Sequence, residues 1–507
     1  MDETVAARSW AREEFEHLEA GDPRHRRRVL DMAGSALLKP AGTITEVFPE
    51  GAKRKGAYTF LSSSVVSAKA LLLACGQACA LRAADFDQTL IPLDGSCVSL
   101  PDPRGHKRFG RLGSRKKGRG LKVISAIGIA PDGTPLGLLA QTWWARKGKK
   151  RKKKKHASIP VAQKETQRWL DTIERVDEQL IKHAPETQGV FVIDREGDSW
   201  AVLGAIVERK RQFIIRAARD RTVLESDEGQ LKNKSNTRSE SKNKNKNKNK
   251  RKLRETLAEQ PVLMTFELDV PAGPKRKARR VTLEVRVARV LLPLYESWAG
   301  KPHPQHVNVV SVREVGTPPK GEKALDWLLM TSLPIDTEEE VCAIIAGYQT
   351  RWAIESFHKT WKSGGCQIED TQLRDRDRVI KWAVILAAVA MRIERIKHLG
   401  RTQPELPASK ELSIYELNAL LLLKQKQKKR NEEVPNKVPT MAKATLWIAH
   451  LGGYVDQKSP PGAITIGRGF ERVRAVAEAF EALELTPLLP PTALKAPKKP
   501  RKAVRTG

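Results

Sequence analysis

The segment GVFVID (189–194) is an unbroken apolar run closed by Asp194. A strand with one face in water alternates apolar and polar residues. A strand without alternation is buried on both faces, as in the middle of a parallel sheet covered by helices. This run therefore points to an α/β fold. TLIPLD (89–94) has the same form, short and apolar, and ends in Asp94. LKVISAIGIA (121–130) and PLGLLAQTWW (135–144) flank Pro131-Asp132-Gly133-Thr134, a good hairpin turn. A helix is predicted near 163–183, another near 198–208, and a further strand at QFIIRA (212–217).

The resulting order of strand, hairpin, helix, strand, helix, strand resembles the first half of a ribonuclease H-like fold. We expect an α/β protein with such a catalytic core, a β-rich insertion, and flanking N-terminal and C-terminal helical domains. Residues 1–70 form the N-terminal unit and 71–400 the catalytic domain. The insertion covers about 218–335, with strands at 261–271, 280–293, 305–314 and 325–333. Lysine alternating with asparagine cannot bury a core, so 228–254 is expected to be a disordered loop. Residues 401–487 are helical, with segments at 411–425, 445–453 and 466–485. The basic tail, 488–507, is expected to be disordered.

The stretch YQTRWAIESFHKTWK (348–362) carries most of the chemistry. At about 100° per residue, Tyr348, Arg351, Glu355 and Lys362 fall within roughly 60° of one another on a helix. Ala353, Ile354, Phe357 and Trp361 form the opposite, core-facing stripe. One face thus offers a carboxylate, two cations and a phenol. A carboxylate can hold a hard metal ion, and the cations beside it can hold a phosphate. A solvated charged face would give the same pattern in isolation.

The formal net charge of +33 over 507 residues favours a polyanionic partner, DNA or RNA before an anionic membrane. No run of about 18 apolar residues is present, so no membrane span is expected. The polar, acidic N-terminus does not read as a signal peptide. The five cysteines lack zinc spacing and read as thiols of a reducing cytoplasm. Arg24, Arg26, Arg27 and Arg28 crowd the start of a helix, where they can clamp DNA phosphates or form a solvated basic turn. The run Arg146 to Lys155 and the lysine–asparagine loop either hold DNA loosely or are tolerated loop expansions.

In a ribonuclease H-like fold the two aspartate-tipped strands lie side by side and a later helix crosses them. Asp94, Asp194 and Glu355 would then converge. Such a cluster is costly unless divalent cations occupy it. Two magnesium ions can bridge a scissile phosphate.

At this point the sequence resembles the DDE transposases of the insertion-sequence-four family. The signature Y-x2-R-x3-E-x6-K is complete at Tyr348, Arg351, Glu355 and Lys362. VIDREGD (192–198) and LDGSC (93–97) resemble the blocks around the second and first catalytic aspartates. GDPR (21–24), GAYTF (56–60), GLLAQTWWAR (137–146), KETQRW (164–169), DWLLMTS (326–332) and LWIAHLGGYVD (446–456) extend the likeness along most of the chain. The resemblance implies catalytic, metal-binding Asp94, Asp194 and Glu355. It implies two Mg2+ ions, with Mn2+ as a substitute, and double-stranded DNA as partner, both transposon ends and target. It also implies DNA contacts by Tyr348, Arg351, Lys359, Lys362, Arg216 and the arginines at 24–28. Trp327 would stack on a flipped base, or else is a core aromatic; Arg216 would touch DNA, or else pair with Glu208 or Asp220. The family cuts at transposon ends, forms and reopens a DNA hairpin, and joins 3′ ends to target DNA as a homodimer. A bacterial cytoplasmic, nucleoid-associated location follows. Two other readings stay open: an inactive DNA-binding descendant, and a ribonuclease H-like nuclease.

Overall fold

The structure is a computed structural model. It describes residues 5–102, 106–113, 118–146, 159–224, 251–270, 277–294, 303–428, 434, 437–455 and 460–482. The chain divides into two compact units. One holds residues 79–104 and 109–355, and the other residues 1–78, 105–108 and 356–507. No helix among the described residues is long and apolar enough to cross a membrane.

The first unit is built on one ten-stranded sheet. Its strands are β1 (Gln88–Ser99), β2 (Gly110–Arg111), β3 (Arg119–Ile129), β4 (Pro135–Trp144) and β5 (Gln188–Ile193). They continue as β6 (Gln212–Arg216), β7 (Met264–Val270), β8 (Arg279–Leu294), β9 (His303–Glu314) and β10 (Asp326–Thr331). The order is β2-β3-β1-β5-β6-β10-β9-β8-β7, and β4, off this path, pairs with β3. β1, β5 and β6 run parallel, while β3 is antiparallel to β1 and β4. As the apolar run predicts, Val190, Phe191, Val192 and Ile193 are all fully buried. The predicted hairpin is present: Asp132 accepts the Thr134 amide at 2.9 Å and Gly133 takes φ +86°, which its missing Cβ permits. The predicted insertion strands all form. Instead of making a separate layer, β10, β9, β8 and β7 extend the same sheet beyond β6.

Fourteen α-helices are described. The first seven are α1 (Val5–Phe15), α2 (Pro23–Leu38), α3 (Ile44–Val47), α4 (Gly51–Ser62), α5 (Ala68–Ala83), α6 (Thr166–His183) and α7 (Trp200–Glu208). The rest are α8 (Leu253–Ala258), α9 (Glu338–Gln349), α10 (Trp352–Lys362), α11 (Arg376–Thr402), α12 (Ile414–Gln427), α13 (Met441–Leu451) and α14 (Ala463–Ala482). α6 buries Trp169, Ile173, Val176 and Leu180, spaced three or four apart, in the core beside the sheet. α8 corrects the end of the expected loop: residues 251–254 are among the described residues, and Leu253 starts a helix with its side chain fully buried. The lysine–asparagine repeat itself, residues 147–155 of the earlier basic run and the tail lie outside the described residues.

In the helical unit, α2 begins as its sequence dictates. Asp22 caps it by accepting the Arg24 amide at 2.8 Å, and Pro23 stands at the first helical position. The centre of this unit holds Glu416 on α12, fully buried, between Arg392 of α11 and Arg474 of α14, each at 3.1 Å. Ser413 caps α12: its hydroxyl accepts the Glu416 amide at 3.2 Å, and its own amide donates to the Glu416 carboxylate at 2.7 Å.

Candidate active site

Leu93 of β1 pairs with Ile193 of β5, and the parallel ladder ends there. Asp94 and Asp194 are the next residues on two strands roughly 4.8 Å apart. Asp194 indeed closes its strand, but Asp94 does not. β1 runs on to Ser99 because β3 continues to pair with it, Asp94 opposite Ser125. Asp94 thus sits in mid-strand, at the point where its parallel neighbour stops.

Backbone donors aim both carboxylates. Asp94 accepts the Gly95 amide and Asp194 accepts the Glu196 amide, both at 2.7 Å. Gly197 completes the Asp194 turn. A Cβ there would lie 2.4 Å from Ile193 and 2.7 Å from the Trp169 ring, so only glycine lets the turn close against α6. Burial pushes the Asp94 carboxyl up to about 7; Asp194 and Glu196 add to this, while the Gly95 amide and Arg351 oppose it.

The Tyr348–Lys362 stretch is not one helix. α9 ends at Gln349, and Thr350 and Arg351 form a turn before α10 begins. The break turns Tyr348 and Arg351 inward instead of leaving them on a solvated face. Tyr348 is 2% exposed and Arg351 5%. The apolar stripe behaves as predicted, with Ile354, Phe357 and Trp361 fully buried. Arg351 donates to Glu355 at 2.5 Å, and its charge is felt by Asp94 and by Asp194. Its Nε and the Tyr348 hydroxyl are buried without a hydrogen-bond partner among the described residues. The guanidinium also lies over the Trp352 ring, 4.7 Å from its centroid.

The structure therefore brings Asp94 and Asp194 together and ties Glu355 to an arginine that faces both. It does not close all three carboxylates into one cage. Among the described residues, no three His, Cys, Asp or Glu side chains are grouped closely enough to hold a metal ion. The oxygen-only donors of the aspartate pair still suit a hard divalent cation.

The remaining expected residues fall as follows. Trp327 on β10 is half-buried, with its ring centroid 5.7 Å from that of Tyr348. Its ring thus packs against the signature segment. Arg216 ends β6 and donates to the Asp326 main-chain oxygen at 2.9 Å. Lys359 is exposed, and Lys362 is 3.7 Å from Glu369. Arg24 and Arg28 line a groove of about 1190 Å³ with His25, Arg54, Lys55 and Tyr58. Arg26 and Arg27 are exposed.

Three features escaped the sequence reading. Glu196 is exposed and its Oε1 would lie 3.4 Å from a Cβ on Gly95, close enough to act on Asp94. Asp198, in the same VIDREGD block, is structural: it is buried against Arg221 and accepts the Ala218 amide at 2.7 Å. Glu165 accepts from Lys122 at 2.8 Å and Trp144 at 3.2 Å, and also from Arg146. Burial raises the Glu165 carboxyl, but these donors outweigh it and hold the group at about 2. Its place in KETQRW, beside the GLLAQTWWAR block that ends in Arg146, was the only sequence signal.

Two family comparisons match. Residues 85–392 match the family described as Transposase DDE domain, and residues 7–66 match Transposase DNA-binding. Among solved structures, a piggyBac transposase synaptic complex with hairpin DNA is similar at 8% identity and a TM-score of 0.34. That match covers 79% of this chain and 77% of the other.

Proposed function

Because this chain belongs to the family of transposases with a DDE domain, we propose that it is a cut-and-paste DNA transposase of the insertion-sequence-four type. The observation that carries the reading is the pair Asp94 and Asp194 at the end of one parallel ladder, with Arg351 facing both and holding Glu355. The strand order β4-β3-β1-β5-β6, with β3 alone antiparallel to its neighbours in that run, supports a ribonuclease H-like core.

Asp94, Asp194 and Glu355 are the residues that would hold magnesium, with manganese as a substitute. When bound, two such ions supply charge neutralisation to the attacking and leaving oxygens of phosphoryl transfer. The chain's own groups do the rest. The Gly95 and Glu196 amides fix the two aspartates, so their oxygens face the site before substrate arrives. Arg351 and Tyr348 offer unsatisfied donors to a backbone phosphate. Lys359 and Lys362 follow on the next turns of α10. Arg24 and Arg28 grip the transposon end in their groove, with Arg26 and Arg27 beside it, and Arg216 adds a contact at the edge of β6. The match of residues 7–66 to a transposase DNA-binding family supports that placement.

The same reading assigns hairpin formation. A hairpin bends a strand so sharply that a base leaves the stack. Trp327, half-buried against Tyr348, offers its ring to that base, a contact worth roughly 1–3 kcal/mol. The protein would act as a homodimer in the bacterial cytoplasm. The C-terminal helical region is the proposed place of that contact.

The test is incubation of the full chain with labelled, flanked transposon ends and Mg2+, resolved on a denaturing gel. Nicked strands should appear first and hairpins second. Trp327→Ala should spare the nick and slow the hairpin by about tenfold, the equivalent of 1.4 kcal/mol. Equal loss of both steps would remove the base-stacking role. DNA binding with no product at all would favour the inactive descendant.

A further inference from the structure

We propose that Arg351 is a positioning residue that holds Glu355 away from the Asp94–Asp194 pair until a phosphate oxygen of bound DNA takes its guanidinium. The inference rests on the function proposed above and adds an order of events to it.

Four observations carry it. First, the contact is tight and local. Arg351 stands in the turn before α10 and reaches Glu355 one helical turn later at 2.5 Å. Second, the guanidinium is enclosed, at 5% exposure, while Glu355 is 42% exposed on its side chain. The arginine is the fixed partner and the carboxylate the movable one. Third, Glu355 does not complete a three-oxygen group with the aspartates as the chain stands. Fourth, two buried donors beside the contact, Arg351 Nε and Tyr348 Oη, lack an acceptor. Leaving such groups unsatisfied is costly, so the pocket favours an incoming acceptor.

An anionic oxygen at that point satisfies the open donors and competes with Glu355 for the guanidinium, whose planar fork suits phosphate and carboxylate alike. A polyanion is what a chain of net charge +33 attracts. Released from Arg351, Glu355 can turn toward the aspartates at the N-terminal end of α10. Arg351 meanwhile supplies the positive charge that Asp94 and Asp194 face before any cation does. Binding of DNA and completion of the metal site are then coupled through one side chain, and the coupling is reciprocal.

The experiment measures Mn2+ binding to the full chain by loss of the free-ion electron paramagnetic resonance signal, with and without a short DNA duplex. Signal taken up by the duplex alone is subtracted. In the free protein Glu355→Gln should leave Mn2+ affinity unchanged. With duplex bound, Glu355→Gln should weaken it by about tenfold, as expected of a lost ligand contact. In an Arg351→Gln background without DNA, Glu355→Gln should weaken it by a similar factor. If Arg351→Gln does not fold, the wild-type and Glu355→Gln comparison with and without duplex decides alone. Equal weakening by Glu355→Gln in free and DNA-bound protein would overturn the role of Arg351. So would no weakening in either state. Both outcomes differ from failure of the proposed function, in which Mn2+ binding ignores Asp94→Asn and Asp194→Asn as well.

Discussion

Replacing Asp94 or Asp194 with asparagine should reduce DNA cleavage by at least about a thousandfold while leaving DNA binding in place. The choice of asparagine isolates the charge. Its side-chain oxygen can still accept the Gly95 or Glu196 amide, so the local turn survives. What disappears is one of two adjacent carboxylates; burial, with a smaller contribution from Asp194, raises the Asp94 carboxyl to about 7. Metal-borne charge stabilisation in phosphoryl transfer is worth several kcal/mol. Losing about 4 kcal/mol of it corresponds to roughly a thousandfold in rate. Single-turnover cleavage of labelled ends measures the loss, and a mobility shift on the same duplex measures binding. Either variant cutting within tenfold of wild type would show that the pair is not the catalytic centre.

Glu416→Ala should destabilise the helical unit by about 3–5 kcal/mol. Glu416 is fully buried, and so is Arg474, while Arg392 is nearly so. Burial works against the Glu416 charge, but Arg392, Arg474 and the Ser413 cap outweigh it and hold the carboxyl below its usual range. Removing the carboxylate strands two guanidinium groups in a dry core. Arg392 also lies 5.7 Å from the Trp10 and Phe470 ring centroids, so its displacement would disturb α1 and α14 together. Because the folded carboxyl is depressed, its contribution is present above the unfolded pKa and fades as pH falls through the folded one. Urea unfolding of the full chain near neutral pH checks the size. A variant within about 0.5 kcal/mol of wild type would mean the three charges add nothing net.

Much of this was legible in the sequence, for identifiable reasons. GVFVID declared a doubly buried strand because it lacks alternation, and Val190 to Ile193 are fully buried. Gly133 marked its hairpin because few other residues accept φ +86° there. The pairing of Asp94 with Asp194 followed from two similar runs ending in the same residue type.

What the sequence hid lies where tertiary packing overrides local pattern. Helical periodicity placed Tyr348, Arg351, Glu355 and Lys362 on one face of a single helix, and it carries no sign of the turn at Thr350–Arg351 that buries the first two. TLIPLD reads as a short strand that ends in Asp94. The strand nevertheless continues to Ser99, because the β3 ladder skips Ile91 and Pro92 and then resumes. The Arg351–Glu355 contact was hidden for a related reason. An i,i+4 pair of opposite charge reads as surface decoration until burial makes one partner immobile. Glu165 shows the same limit: its donors come from β3, from the end of β4 and from the residue two beyond it, which only the fold brings together.

The account stands most directly on whether Asp94 and Asp194 hold a divalent cation. Fe2+ binds oxygen-rich sites in place of the lighter divalent ions, and with ascorbate and peroxide it cuts the polypeptide beside its ligands. Full-length protein treated this way should break near residue 94 and near residue 194. Both breaks should fade with excess Mg2+ and vanish in Asp194→Asn. Breaks elsewhere with none at these two positions, in protein that still cleaves DNA, would contradict the assignment.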